Sequence, residues 1–204
     1  MPELGLRERK KLLTRQLIAD TARRLFAERG FEAVPVAEIA RAADVSEQTV
    51  FNYFPTKEDL VFWRLGTFED ELLATIRDRP DGESALQAFG RFLGAQRGLL
   101  GQVEPDAREQ LRALSRVIAS SPALRAREAQ ILAGYTDSLA SLLAEESGQD
   151  GIRPWVAANA MLGVHRALID FTRRRVIAGE SGPALQRVVR AELERALALL
   201  EQGL

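Results

Sequence analysis

The stretch 39–57, IARAADVSEQTVFNYFPTK, constrains the fold more than any other part of the chain. Val36, Ile39, Ala40 and Ala43 recur at the spacing of one apolar helix face. That helix has to stop at Asp44, whose short polar side chain tolerates a left-handed backbone at a corner. Ser46 then reads as an N-cap, with Val45 and Val50 at the two hydrophobic-staple positions around it. At about 100° per residue, a second short helix turns Val50 and Phe54 inward and puts Gln48 and Asn52 opposite them, flanked by Thr49 and Phe51.

Two short helices joined by a tight corner, the second with an amide-bearing outer face, fit a helix-turn-helix whose second helix lies in the major groove of DNA. Gln and Asn amides can pair bidentately with an adenine edge, and Thr49 or Phe51 can meet a thymine methyl. An ordinary helical hairpin with a solvated face fits the same pattern. The chain as a whole carries a net charge of −1, so DNA binding has to rest on a local patch. Residues 7–29 hold eight basic side chains against three acidic ones, a net of +5. Such runs are commonly solvated helix faces, but next to a helix-turn-helix this one points to phosphate contact.

Residues Thr14 to Leu60 resemble the DNA-binding domain of the TetR family of transcriptional regulators. The resemblance is carried by Ala22, Leu25, Phe26, Gly30, Phe31, Val36, Ile39, Ala40, Ala43, Val45, Ser46, Phe51, Tyr53, Phe54, Lys57, Glu58 and Leu60. It implies a ligand-responsive repressor that binds a palindromic double-stranded operator as a homodimer and is released by a small-molecule effector. On that expectation Ser46, Gln48, Thr49, Phe51 and Asn52 face base edges or the groove wall. Tyr53, Thr56, Lys57 and, from the basic first helix, Arg15 face phosphates. Three positions depart from the family's usual residues: Pro35 for a capping Ser or Thr, Asp44 for Gly, and Phe51 for Tyr. Proline offers no hydroxyl and Phe51 no donor, so no phosphate contact is expected from these two side chains.

No stretch alternates with period two for long, so the architecture is all-α, with about nine helices: a three-helix head bearing the helix-turn-helix and a C-terminal bundle. A first helix over 7–29 should bury Leu13, Leu17, Ala22, Leu25 and Phe26 and stop at Gly30; two short helices follow over 36–43 and 47–54. Thr56 with Asp59 three residues on resembles a capping box opening a helix over 57–77, its free amides and the Lys57 ammonium offering a phosphate seat. After the turn formers at 78–82, helical stretches are expected over 84–100, 106–120, 123–145, 154–178 and 183–202. The domain division expected is 1–56 for DNA binding and 57–204 for ligand binding and dimerisation.

Gly90, Gly94 and Gly98 line one flank of the 84–100 stretch, for close helix packing or to keep that helix marginal so that a ligand can move it. The apolar patterns of the last two helices read as a dimer seam with Leu168, Phe171, Val188, Val189, Leu193 and Leu197 in it, forming a two-fold four-helix arrangement. Phe62, Trp63, Phe89, Phe92, Tyr135, Trp155, Met161 and His165 are candidates for a mostly neutral, apolar effector pocket, and each also reads as core packing.

Several classes fall away. At 204 residues and 46% apolar composition the chain can bury a large core, yet it has no 18-residue uncharged apolar run and no signal-peptide pattern at its start. No membrane partner is expected, and the plain location is cytoplasmic. Cysteine is absent, which removes disulfides and thiolate chemistry. His165 is the single histidine, with no carboxylates clustered near it in sequence, so neither a metal nor a cofactor is expected. No nucleophile-elbow, phosphate-loop, dinucleotide or zinc-protease motif occurs, so an enzyme is not expected. The alternative function is a helical adaptor that binds protein through its grooves and shows no salt-dependent DNA affinity.

Overall fold

A computed structural model describes residues 5–63, 67–95, 105–148 and 151–203. Ten helices, and no strand, occur among the described residues: α1 Leu6–Arg29, α2 Val36–Ala42, α3 Glu47–Tyr53, α4 Asp59–Phe62, α5 Phe68–Arg77, α6 Ala85–Ala95, α7 Pro105–Ser120, α8 Pro122–Ser147, α9 Arg153–Ile177 and α10 Gly182–Glu201. The single helix expected over 57–77 is seen as α4 and α5. Trp63 and Thr67 keep helical angles on either side, and residues 64–66, Leu65 among them, lie outside the described residues. The 96–100 end of the next stretch, with Gly98, also lies outside them.

Two apolar cores hold the chain together. The first is built from Ile18, Phe26, Val34, Ile39, Val50, Phe54 and Leu60, and it continues into Val117, Ile118 and Leu124 of α7 and α8. The rings of Phe26 and Phe31 meet at 5.0 Å, folding the chain back after Gly30, whose φ of 83° suits a residue without Cβ. The second core gathers Leu72, Ile76, Phe89, Leu139, Met161, Leu162 and Leu193 from α5, α6, α8, α9 and α10. Ile131 of α8 packs against both. Burying each large side chain contributes roughly 1.5–3 kcal/mol, so a residue shared by the two cores ties their stabilities together.

Leu13 and Leu17 are exposed, at 59% and 52%, contrary to the burial expected of them. Leu13 lies nine residues from Ala22, which on a helix is about half a turn of the wheel, so the two cannot face one core. The buried side of α1 is Ile18, Ala19, Ala22, Leu25 and Phe26. The glycine stripe of α6 is a packing surface: a Cβ on Gly90 would stand 2.5 Å from Leu197 Cδ1, and one on Gly94 would stand 4.0 Å from Leu193 Cδ2. The same contacts place Leu193 and Leu197 against α6 in their own subunit; Leu193 is buried there, while Leu197 is half-buried.

Phe26→Ala should lose about 3–5 kcal/mol of stability, whereas Leu13→Gln and Leu17→Gln should stay within about 0.5 kcal/mol of the parent. Urea denaturation measures both; a large loss at Leu13 would contradict the placement of α1.

Candidate nucleic-acid interface

The corner between α2 and α3 forms as local chemistry dictates. Asp44 takes φ 54°, the only described non-glycine residue at positive φ. The α2 carbonyls are closed by amides of Ala43, Asp44 and Val45, the last bonding Ala40 at 3.0 Å. Ser46 caps α3: its Oγ accepts from Thr49 N at 3.1 Å and lies 2.8 Å from Thr49 Oγ1. Val50 and Phe54 are buried at 1% each, and this orients the rest of α3 outward. Pro35 starts α2 without a side-chain cap bond.

Ser46, Gln48, Phe51 and Asn52 are exposed together on that outer face, with Thr49 half-buried between them. Gln48 Nε2 donates to Asn52 Oδ1 at 3.0 Å, one turn apart, so the two amides form a single unit whose remaining donors and acceptor point to solvent. Phe51 is 43% exposed, a large ring left on the surface beside that unit. Thr56 is exposed at the start of the next helix, and the expected capping box is present: Thr56 N donates to Asp59 Oδ2 at 3.0 Å and Asp59 N to Thr56 Oγ1 at 3.3 Å. Arg15 holds its guanidinium carbon 5.4 Å from the centre of the Phe54 ring, which brings α1 to the end of α3. Tyr53 is half-buried against the first core.

Lys57 has a partner inside the head that its sequence neighbours do not reveal. Its ammonium donates to the Phe31 carbonyl at 2.6 Å and lies 4.3 Å from the centre of the Phe31 ring. Burial pushes it below the ordinary lysine range, opposed by the carboxylates of Glu32 and Glu58. The apolar collapse of Phe31 onto Phe26 creates a carbonyl that needs a donor, and Lys57 supplies it.

Beside the shared first core, two polar contacts among the described residues link the head to the body, and neither was visible from sequence. Arg127 of α8 donates Nε and Nη2 to Asp59 Oδ1 at 3.0 and 2.8 Å, the same carboxylate that caps the helix start. Ser121, the buried N-cap of α8, donates to Glu32 Oε1 at 2.7 Å. Asp59 could be found in the sequence as a capping residue, but nothing in the α8 pattern marks Arg127.

The pocket candidates divide. Phe92, Tyr135 and His165 come together around Phe68, while Phe89 and Met161 are buried in the second core. Phe62 and Trp63 pack in the first core, and Trp155 is 46% exposed at the start of α9, so these three belong to no common site with the others. The α9 backbone explains Trp155: Pro154 and Ala158 take its inward positions. Among the described residues no group of acidic and histidine side chains is arranged to hold a metal, and no helix is long and apolar enough to cross a membrane.

Residues 18–62 match the family described as "Bacterial regulatory proteins, tetR family", and residues 94–204 match the "MftR C-terminal domain". The chain is 30% identical over 175 residues to the protein named as the mycofactocin biosynthesis transcriptional regulator MftR of Mycobacterium tuberculosis, covering 80% of this chain and 82% of that one. It belongs to the TetR family. The HTH-type transcriptional regulator TcmR of Streptomyces glaucescens is 32% identical over 151 residues, covering 72% of this chain and 66% of the relative. In fold it is similar to the regulator FadR of Bacillus subtilis, solved with stearoyl-CoA, at a TM-score of 0.55 and 24% identity over 89% of this chain and 97% of that one. NalD of Pseudomonas aeruginosa, a secondary repressor of an efflux pump, aligns at a TM-score of 0.57 and 20% identity over 93% of this chain and 96% of that one. Membership makes the chain a DNA-binding transcriptional regulator and not an enzyme, and the adaptor alternative falls.

Lys57→Met should lower stability by about 1–3 kcal/mol through the lost charged hydrogen bond and leave the salt dependence of DNA binding unchanged. A phosphate contact there would instead reduce the salt slope by about 1, which binding at a series of salt concentrations resolves. His165 gives a second handle: burial drops it from 6.5 to about 4. The unfolded chain therefore binds a proton that the folded one does not between those values, so stability is full above about pH 6.5 and falls as pH is lowered toward 4. His165→Phe should remove that component from the pH dependence of the denaturation midpoint.

Proposed function

We propose that this TetR-family regulator binds a palindromic operator as a homodimer, each α3 entering a major groove, and lets go when a mostly apolar effector occupies the body. The exposed Gln48–Asn52 amide pair carries the reading, because two coupled carboxamides on the outward face of a groove-sized helix can read an adenine edge. Ser46 stays committed to capping, Thr49 and Phe51 offer methyl and ring surface to the groove wall, and Thr56, Tyr53 and Arg15 with the basic start of α1 lie toward the backbone. The protein would act in the cytoplasm, as a repressor by analogy with its family. The DNA-binding unit is taken as 1–56, with effector binding and dimerisation assigned to 57–204.

The seam is assigned to α9 and α10. Leu168, Phe171, Val188 and Val189 are each half-buried there, which leaves part of their surface for a partner. Ile152 just before α9, Trp155 and Val156 on α9 and Leu199 on α10, between 46% and 78% exposed, add apolar surface that a second copy would cover.

Effector response is routed along α8. Arg127, Ile131 and Tyr135 recur at intervals of four, one side of the helix. The first holds the head through Asp59, the second packs against both cores, and the third stacks on Phe68 at 5.4 Å. A shift of α8 by an effector near Tyr135 therefore reaches the carboxylate that starts α4.

Gln48→Ala or Asn52→Ala should weaken operator binding by about 1–3 kcal/mol and relax preference at one or two positions, with random-sequence DNA bound as before. Gel shifts on both DNAs decide this: equal losses on the two would remove the groove assignment. Arg127→Ala should keep operator affinity within about threefold, the pair being partly exposed and worth on the order of 1 kcal/mol or less, and should blunt effector-induced release. An unchanged response in titrations of the operator complex would show that α8 is not the route.

A further inference from the structure

Four aromatic rings from four helices meet in the body. Phe68 is the first residue of α5, and its ring lies 4.6 Å from the His165 imidazole of α9 at 17°, and 5.4 Å from the Tyr135 ring of α8 at 23°. Phe92 of α6 closes against it edge-on at 5.1 Å and 67°. Phe68 is common to all three contacts. Tyr135 and Phe92 are buried members of the second core, exposed by 5% and 6%, and are fixed by it; Phe68 is only half-buried. Among the described residues, the Phe68 stack and a 2.5 Å bond from Ser138 to Glu69 tie this end of α5 to α8.

From this geometry we infer that Phe68 occupies a slot for a planar aromatic effector, which binds by taking the place of its ring against Tyr135 and His165. The inference rests on the effector-responsive reading above and names the class of compound. A flat ring system reproduces near-parallel contacts worth about 0.5–1.5 kcal/mol each beyond burial, which a flexible alkyl chain of the same carbon count does not. The two lining rings are uncharged at neutral pH: burial holds His165 down at about 4 and Tyr135 up at about 12, the latter aided by Glu69. The slot therefore suits a neutral compound, with the imidazole able to donate to or accept from a ring hydroxyl. Displacing Phe68 releases a ring that ties the first turn of α5 to Tyr135 of α8, so occupation and movement are the same event.

The pair 2-naphthol and 1-decanol, each with ten carbons and one hydroxyl, separates flatness from hydrophobicity. In calorimetric titrations of the full chain, 2-naphthol should bind about tenfold or more tightly than 1-decanol, a difference of about 1.4 kcal/mol. Phe68→Ala, with folding checked by circular dichroism, should tighten 2-naphthol further because no ring has to leave. Phe68→Leu, which keeps side-chain bulk without a ring to stack, should shift it in the same direction, and Tyr135→Leu should weaken it. Equal or tighter binding of 1-decanol, no binding of either alcohol, or indifference to both Phe68 variants would overturn the slot. Operator release is followed in parallel by gel shift. Naphthol binding that tightens in Phe68→Ala but never releases operator leaves the slot standing and removes effector control, whereas release by decanol alone removes the slot and leaves effector control.

Discussion

The Asp59 carboxylate is where the two halves of this chain depend on each other. One oxygen accepts the Thr56 amide and so closes the turn that leads into α4; the other takes two bonds from Arg127 of α8. A helix start left without an acceptor exposes amides that nothing else in the helix can satisfy. By splitting its oxygens between these tasks, Asp59 makes the beginning of α4 sensitive to where α8 stands. Ser121 repeats the arrangement at the other side of the head, capping α8 with its hydroxyl oxygen while donating to Glu32. The first turns of α8 are thus bonded to both flanks of the DNA-reading unit.

Packing gives those polar contacts their leverage. The first core runs without interruption from α1 through α3 into α7 and α8, so the head is not a bead on a linker. Close-packed interiors resist small continuous adjustments, and Ile131, which packs against both cores, couples α8 to each of them. Gly90 lets Leu197 of α10 seat directly on α6, fixing the far side of the bundle against which α8 and α9 could shift.

The helix-turn-helix was legible in the sequence because its determinants are local. Asp44 at the corner, Ser46 at the cap, the inward Val50 and Phe54 and the reciprocal Thr56–Asp59 bonds each depend on residues within a few positions of one another. The last four helices were placed to within a few residues by Pro and Gly punctuation for the same reason. What periodicity could not supply was which face meets which partner. Leu13 and Leu17 belong to an apolar pattern yet lie opposite the core, Leu193 and Leu197 turn to α6, and Trp155 points outward. Lys57 and Arg127 are legible only in three dimensions, since their acceptors, the Phe31 carbonyl and Asp59, lie 26 and 68 positions away.

Lys57 shows what such a long-range pairing does to a side chain that its sequence neighbours mark for another role. An ammonium at a helix start beside free amides reads as a phosphate ligand from its neighbours in sequence. Once Phe31 folds onto Phe26, the carbonyl of Phe31 is left in a partly buried site, and a desolvated acceptor without a donor costs about 1–3 kcal/mol. The lysine satisfies it, and burial then lowers its affinity for a proton. That bond takes one of the three donors of the ammonium and ties the residue to the head. The start of α1, with Arg7, Arg9, Lys10 and Lys11 exposed and Arg15 turned to Phe54, is a second basic surface beside the helix-turn-helix.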